Sequence, residues 1–217
     1  MVNADGFSYE DSTETYGSCS VVFENRMLVF GADSGSDAKQ KQIAEVKSCS
    51  LQKIGELPFK FNNGACGTYD FSTTRVFLCF PSDGRSCWQF YESFVLEAAS
   101  STFKHVFTSL GIYNGNPVGI SGYDTNEVEM YLNNKWESLP PLSDITRVHE
   151  FSTITRGGIM YVFGGADSYT YQTAVWEFNG QWKLGGSLLL ARTGHRSMLV
   201  NDTIIHIGGR SEESDSM

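Results

Sequence analysis

One phrase of apolar and polar positions is written five times along the chain: a short apolar run, a tight polar turn, a second apolar run, then in most copies a glycine. The clearest copies cover residues 151–165, turning at Arg156-Gly157-Gly158, and 196–209, turning at Asn201-Asp202. A third covers 18–31 about Glu24-Asn25-Arg26, and weaker copies cover 66–80 and 109–122. Two apolar runs joined by a two- or three-residue polar turn predict a β-hairpin. The second runs end at Phe30, Phe80, Ser121, Gly164 and Gly208, a period of about 41–50 residues. That period marks the four-stranded blades of a β-propeller.

The rest of each unit fits the same reading. An alternating strand follows the hairpin, as at 127–132 or 174–178, and then a short turn. A large apolar residue comes next: Trp136 after Asn133-Asn134-Lys135, Trp182 after Asn179-Gly180-Gln181, and Ile54 and Phe103 in the earlier copies. Pairs such as Leu57-Pro58 and Leu139-Pro140 close the unit. Runs 27–30 and 159–163 are apolar at successive positions, which suits a strand covered on both faces, as an inner blade strand is. Two stretches, 37–48 and 92–107, have helix-forming composition. Propensity amounts to only a few tenths of a kcal/mol per residue, so the repeat register prevails and places third strands near 43–48 and 88–94, with at most a short helical turn in either loop.

Composition agrees with one all-β domain: 217 residues, 41% hydrophobic and 13% aromatic, supply a core. A formal charge of −9 argues against a nucleic-acid partner, which needs a basic stripe, and makes a basic peptide the natural ligand. The first residues carry no signal-peptide pattern and no run of eighteen apolar residues occurs, so the expectation is a soluble, cytoplasmic protein with no membrane partner. The five cysteines, Cys19, Cys49, Cys66, Cys79 and Cys87, lie mostly inside apolar runs and read as buried thiols of a reducing compartment. An extracellular alternative rests on Cys79 and Cys87, which flank loop 81–86 and could bridge, and on the sequon Asn201-Asp202-Thr203. That sequon is also a hairpin turn.

These residues resemble the kelch repeat, in which a hairpin ends in Gly-Gly and a Trp follows the third strand. The copies that carry the resemblance are Tyr161-Val162-Phe163-Gly164-Gly165 with Trp182, Ile205-His206-Ile207-Gly208-Gly209, and Tyr131 with Trp136. Arg192-Thr193-Gly194-His195 and the shorter Arg147-Val148-His149 match the entry to the next blade. Gly31-Ala32 and Phe80-Pro81 stand where Gly-Gly is expected, and the first two units lack the outer Trp. The resemblance implies a propeller of four-stranded antiparallel blades at about 18–60, 61–106, 107–146 and 147–191, a half blade at 192–209, and tails at 1–17 and 210–217. Kelch propellers close with more blades than this, so the resemblance implies an incomplete ring whose open edges invite self-association.

No catalytic motif stands out. Metal-ligand spacing, a nucleophile elbow and a phosphate loop are absent, and no cofactor is expected. His149 and His195 recur at equivalent repeat positions and are read as structural, and Glu127, Glu129, Glu150 and Glu177 as solvated carboxylates. The favoured reading is therefore a non-enzymatic module that binds a protein or peptide. The alternative implied by the resemblance is a carbohydrate-active propeller, galactose-oxidase-like or sugar-isomerase-like. In an antiparallel blade the loops between second and third strands share a face with the links between blades. That face gathers Arg85, Tyr123, Arg147, Asp167, Tyr169, Tyr171 and Arg192, and Tyr and Arg carry much interface energy.

Overall fold

A computed structural model of the chain describes residues 17–32, 37–48, 50–69, 75–91, 94–142, 147–167 and 170–211. Residues 1–16 and 212–217 of the tails, Cys49 and Tyr169 lie outside the described residues. The first sheet holds β1 (Cys19–Phe23), β2 (Arg26–Phe30), β3 (Gln42–Lys47) and β4 (Ser50–Glu56) in that order. The second holds β5 (Ala65–Tyr69), β6 (Arg75–Cys79), β7 (Cys87–Tyr91) and β8 (Phe94–Ala98). The third holds β9 (Leu110–Tyr113), β10 (Asn116–Gly122), β11 (Thr125–Leu132) and β12 (Lys135–Leu139). The fourth holds β13 (Ser152–Arg156), β14 (Ile159–Phe163), β15 (Ala174–Phe178) and β16 (Trp182–Ser187), and the fifth only β17 (Arg196–Val200) and β18 (Thr203–Ile207). Every pairing within these sheets is antiparallel. The inner strands β1, β5, β9, β13 and β17 touch in sequence, which sets the sheets face to face as propeller blades.

The hairpin turns explain the repeated polar pairs. Glu24-Asn25, Asn114-Gly115, Gly157-Gly158 and Asn201-Asp202 all have both residues at positive φ, the backbone of a two-residue turn whose twist matches its flanking strands. Asn, Asp and Gly tolerate that region best. A second left-handed position ends each inner hairpin, at Gly31, Phe80, Ser121, Gly164 and Gly208. At Gly31 a Cβ would lie 1.6 Å from the Phe61 carbonyl oxygen, so only glycine fits there. Phe80 and Ser121 keep the same conformation without glycine.

Each of the first three blade interfaces has its own core. Phe23, Phe30, Phe61, Leu78 and Phe90 fill the first, and Phe77, Cys79, Phe80, Leu110 and Tyr131 the second. Val118, Ile120, Val128, Met160, Phe151 and Phe178 fill the third. The outer tryptophans tie each blade to the link before it: Trp136 Nε1–H donates to the Ala99 carbonyl at 2.8 Å, and Trp182 Nε1–H to that of Pro140 at 2.9 Å. In the second blade the equivalent work falls to Trp88, which stacks on Phe59 of the preceding link with centroids 3.6 Å apart. Neither Phe103 nor Ile54 takes the outer aromatic place expected of it. Phe103 lies in a link and gives its backbone N–H to Glu129, and Ile54 is exposed on β4.

Two further expectations are corrected. Four of the five cysteines are not thiols: Cys19 is bonded to Cys66, joining the inner strands of neighbouring blades, and Cys79 to Cys87 across the β6–β7 loop. Glu129 is not solvated but fully buried, accepting N–H groups from Thr102 and Phe103 and sitting 3.0 Å from His105 Nε2. Burial raises its pKa, but the His105 and backbone hydrogen bonds outweigh this and hold the carboxyl below the usual range. The helix-prone stretches follow the repeat register as expected: helix is confined, among the described residues, to the single turn α1 (Asp37–Gln40), while β3 takes 42–47 and β8 takes 94–98. No helix among them is long and apolar enough to cross a membrane.

Candidate functional site

The inner strands enclose an axial channel. Its mouth is a cavity of about 550 Å³ lined by residues from all five units, narrowing to a second space of about 150 Å³ that shares Ser20, Gly64, Thr108 and Arg196. The mouth opens where the chain enters each inner strand. Gly17, Asn63, Phe107, Glu150 and Gly194 occupy the equivalent entry position in the five units, and all five have φ between 53° and 71°. Neighbouring entries are laced together: Asn63 N–H donates to Gly17, Glu150 N–H to Phe107 and Gly194 N–H to Glu150, at 2.7–2.9 Å. A left-handed conformation at a residue other than glycine costs on the order of 1 kcal/mol and concentrates at functional sites. Three of these five rim residues carry that strain.

The wall below the rim is polar. Ser20, Thr108, Ser109, Thr153 and Ser197 place hydroxyls along it. Arg196, the first residue of β17, is open to water in the channel yet ringed by protein, and burial pushes its guanidinium below its ordinary pKa. Its guanidinium makes no hydrogen bond or ion pair among the described residues, although Glu150 lines the same cavity. The Glu150 carboxylate instead accepts the Thr193 hydroxyl at 3.0 Å.

Beneath the wall, two histidines are locked into structure. His195 is fully buried, with Nε2 2.8 Å from Ser152 Oγ, and Ser152 bonds Ser197, whose hydroxyl lies 2.7 Å from His206 Nδ1. Burial first, then the positive charges of His206, Arg192 and Arg196, push the His195 pKa down to about 4. His149 pairs its backbone with Ala166, and burial lowers its pKa against the opposing pull of Glu150 and Asp167. Nδ1 of each ring is buried without a partner among the described residues.

The residues expected on the loop face fall into two groups. Tyr123 packs against His149 with ring centroids 5.3 Å apart, His149 bridges to Ala166, and Ala166 bridges to Tyr171. Arg192 donates its backbone N–H to Gln172 and accepts that of Gly165. Tyr123, Arg147, Asp167, Tyr171 and Arg192 therefore sit on a continuous run of loops across three units. Arg85 stands apart in the loop of the second blade, on a turn fixed by Asp83. Two members are partly committed to the fold: Asp167 accepts from Thr170 and Gln172, and Arg192 Nη1 donates to the Gly208 carbonyl at 2.6 Å. The sequence reading missed the channel itself, including Arg196, Arg210 and the strained rim. Its one sequence signal is the Gly194-His195-Arg196 step, where a charge opens an otherwise apolar inner strand.

Blade architecture, the left-handed exits and the outer tryptophans define the class: the chain is a β-propeller whose divergent blades are similar to the kelch repeat. No protein-family profile matches it. Over 102 residues it is 33% identical to Kelch-like protein 38 of Homo sapiens, an alignment covering 43% of this chain and 17% of that protein. Among solved structures, that of YjhT superposes on 90% of this chain and 77% of its own, with a TM-score of 0.74 at 15% identity. A fungal alcohol oxidase of the AA5 family in complex with copper superposes on 91% of this chain and 47% of its own, with a TM-score of 0.69 at 10% identity. At these identities the two superpositions show the fold alone.

Proposed function

We propose that this propeller is a protein-interaction module that holds a partner segment across its loop face, over the channel mouth. The observation that carries the reading is the continuous run from Tyr123 through His149 and Ala166 to Tyr171 and Arg192, which offers aromatic and cationic side chains beside a strained rim. The opposite face supports it by contrast, because its hairpins close in two-residue turns such as Asn114-Gly115 and Gly157-Gly158 that leave little chain to vary. Tyr169 joins the proposal by its place in the loop of the fourth blade, and Arg85 as an outlying contact. The likeness to Kelch-like protein 38 is consistent with a binding role.

The test uses the purified chain as bait for proteins of a cell extract, read by mass spectrometry. Tyr123→Ala with Tyr171→Ala should abolish capture, and Lys135→Glu on the opposite face should leave it intact. The reverse pattern overturns the reading.

An oxidase is the second reading, favoured by the fold shared with the copper-bound alcohol oxidase. Among the described residues no three His, Cys, Asp or Glu side chains gather closely enough to hold a metal, and four cysteines are bonded to each other. Imidazole, thiol and carboxylate side chains thus assemble no copper centre among the described residues. The two disulfides favour an oxidising compartment over the cytoplasm.

A further inference from the structure

We propose that the axial channel binds a carboxylate on the guanidinium of Arg196. Two observations converge on that residue. Its side chain stands in both the mouth and the deeper space of the channel. Its guanidinium has no ion-pair or hydrogen-bond partner among the described residues. A guanidinium facing a protein-walled cavity with its donors unengaged presents a planar fork that a carboxylate matches best, two oxygens at a time.

The surroundings suit that ligand. The charged side chains among the described residues lining the mouth are Arg196, Arg210 and Glu150. Two arginines against one carboxylate leave the cavity an excess positive charge inside a chain whose formal charge is −9. The local field thus selects the opposite sign from the whole molecule, and an acidic group is drawn here although the acidic chain as a whole favours basic partners. The Ser20 hydroxyl, within the same space, can donate to a bound oxygen, whereas that of Thr108 is held by the Ile120 carbonyl at 2.6 Å. A carboxylate could arrive on an Asp or Glu side chain of a partner segment or as a small free acid, and both present the same two oxygens to Arg196. The inference deepens the proposed partner-binding role only in its peptide form, since a free acid needs no loop-face partner.

The probes are an acetylated, amidated tri-glutamate peptide, its tri-glutamine counterpart and free glutarate, titrated into 15N-labelled protein while the arginine Nε–H resonances are followed. The expected result is a saturable shift of the Arg196 Nε–H with a glutamate probe, and none with the glutamine peptide. Arg196→Gln should weaken that binding at least tenfold, Arg196→Lys should restore only part of it, and Arg210→Gln should cost less than Arg196→Gln. Binding of the peptide but not glutarate, or of glutarate but not the peptide, supports the site and tells which form enters. No binding of either acid, equal binding of the glutamine peptide, or an unchanged affinity in Arg196→Gln overturns it. Loss of protein capture in the Tyr123 and Tyr171 variant with glutarate binding intact leaves this site standing, and the converse leaves the loop face standing alone.

Discussion

Trp182 on the outer strand of the fourth blade reaches back to the link of the third, its indole N–H meeting the Pro140 carbonyl at 2.9 Å, and Trp136 repeats the contact one blade earlier at Ala99. The indole plugs the wide outer part of the blade interface and satisfies a link carbonyl at once. Trp182→Phe keeps most of the ring and loses the bond, so it should cost about 1 kcal/mol. Trp182→Ala also opens the gap and should cost roughly 2 kcal/mol more, because the ring is only half-buried. Urea midpoints at unchanged m-value measure both. Equal midpoints for the Phe variant and the parent would show that the carbonyl is served by water instead.

His195 should make stability pH-dependent. In the unfolded chain an imidazole titrates near 6.5, and in the fold burial and its positive neighbours bring this one to about 4. The folded pKa is the lower, so the unfolded state binds more protons between these values. Stability is complete above pH 6.5 and is lost as pH falls toward 4, by about 3 kcal/mol if this group acts alone. Denaturant melts at half-unit intervals should show that slope. His195→Gln, which offers the Ser152 hydroxyl an amide in place of Nε2, should lower the plateau and flatten the slope; an unchanged slope assigns the titration elsewhere.

The two disulfides should differ in value. Cys19 and Cys66 are 47 residues apart in sequence, and Cys79 and Cys87 only 8. Constraint of the unfolded chain grows with the enclosed loop, so the chain-entropy model gives about 4 kcal/mol for the first bond and about 2.5 kcal/mol for the second. Cys19→Ser with Cys66→Ser should therefore lower the unfolding free energy more than Cys79→Ser with Cys87→Ser. Thiol counting on the non-reduced protein checks the bonds themselves: four more thiols should appear after reduction.

Much of this fold was legible because the repeat encodes backbone rather than surface. Asn-Gly, Gly-Gly and Asn-Asp pairs mark left-handed turns, and the turns fell where those pairs stand. At 37–48 the repeat register rightly outweighs helix-prone composition, since Ile43 and Ala44 are buried between neighbours and pairing decides their state. Other features had no local mark. Glu129 reads like any alternating strand carboxylate until the link at Thr102 and Phe103 closes over it. Cys19 and Cys66 look like core thiols because nothing in their own segments shows that two inner strands face each other. The loop face could be placed by strand parity alone, but the channel wall needs five units in register before Arg196 is seen to lack a partner.

Phe80 and Glu150 occupy the same left-handed region, at φ 58° and 53°, with opposite consequences for replacement by glycine. Relief of the backbone is worth about 1 kcal/mol at either site. Phe80 is fully buried against His105 and Trp136, with ring centroids 4.8 and 5.5 Å away. Removing such a ring costs roughly 3–5 kcal/mol, so Phe80→Gly should destabilise by about 2–4 kcal/mol although it restores the glycine that the repeat leads one to expect. Glu150 offers the fold one hydrogen bond, to Thr193, worth about as much as the strain it would release. Glu150→Gly should thus unfold within about 0.5 kcal/mol of the parent while raising the positive excess of the channel mouth, which glutarate titration would read as tighter binding. A large loss of stability in Glu150→Gly would show that its side chain, like that of Phe80, is held for packing rather than for the site.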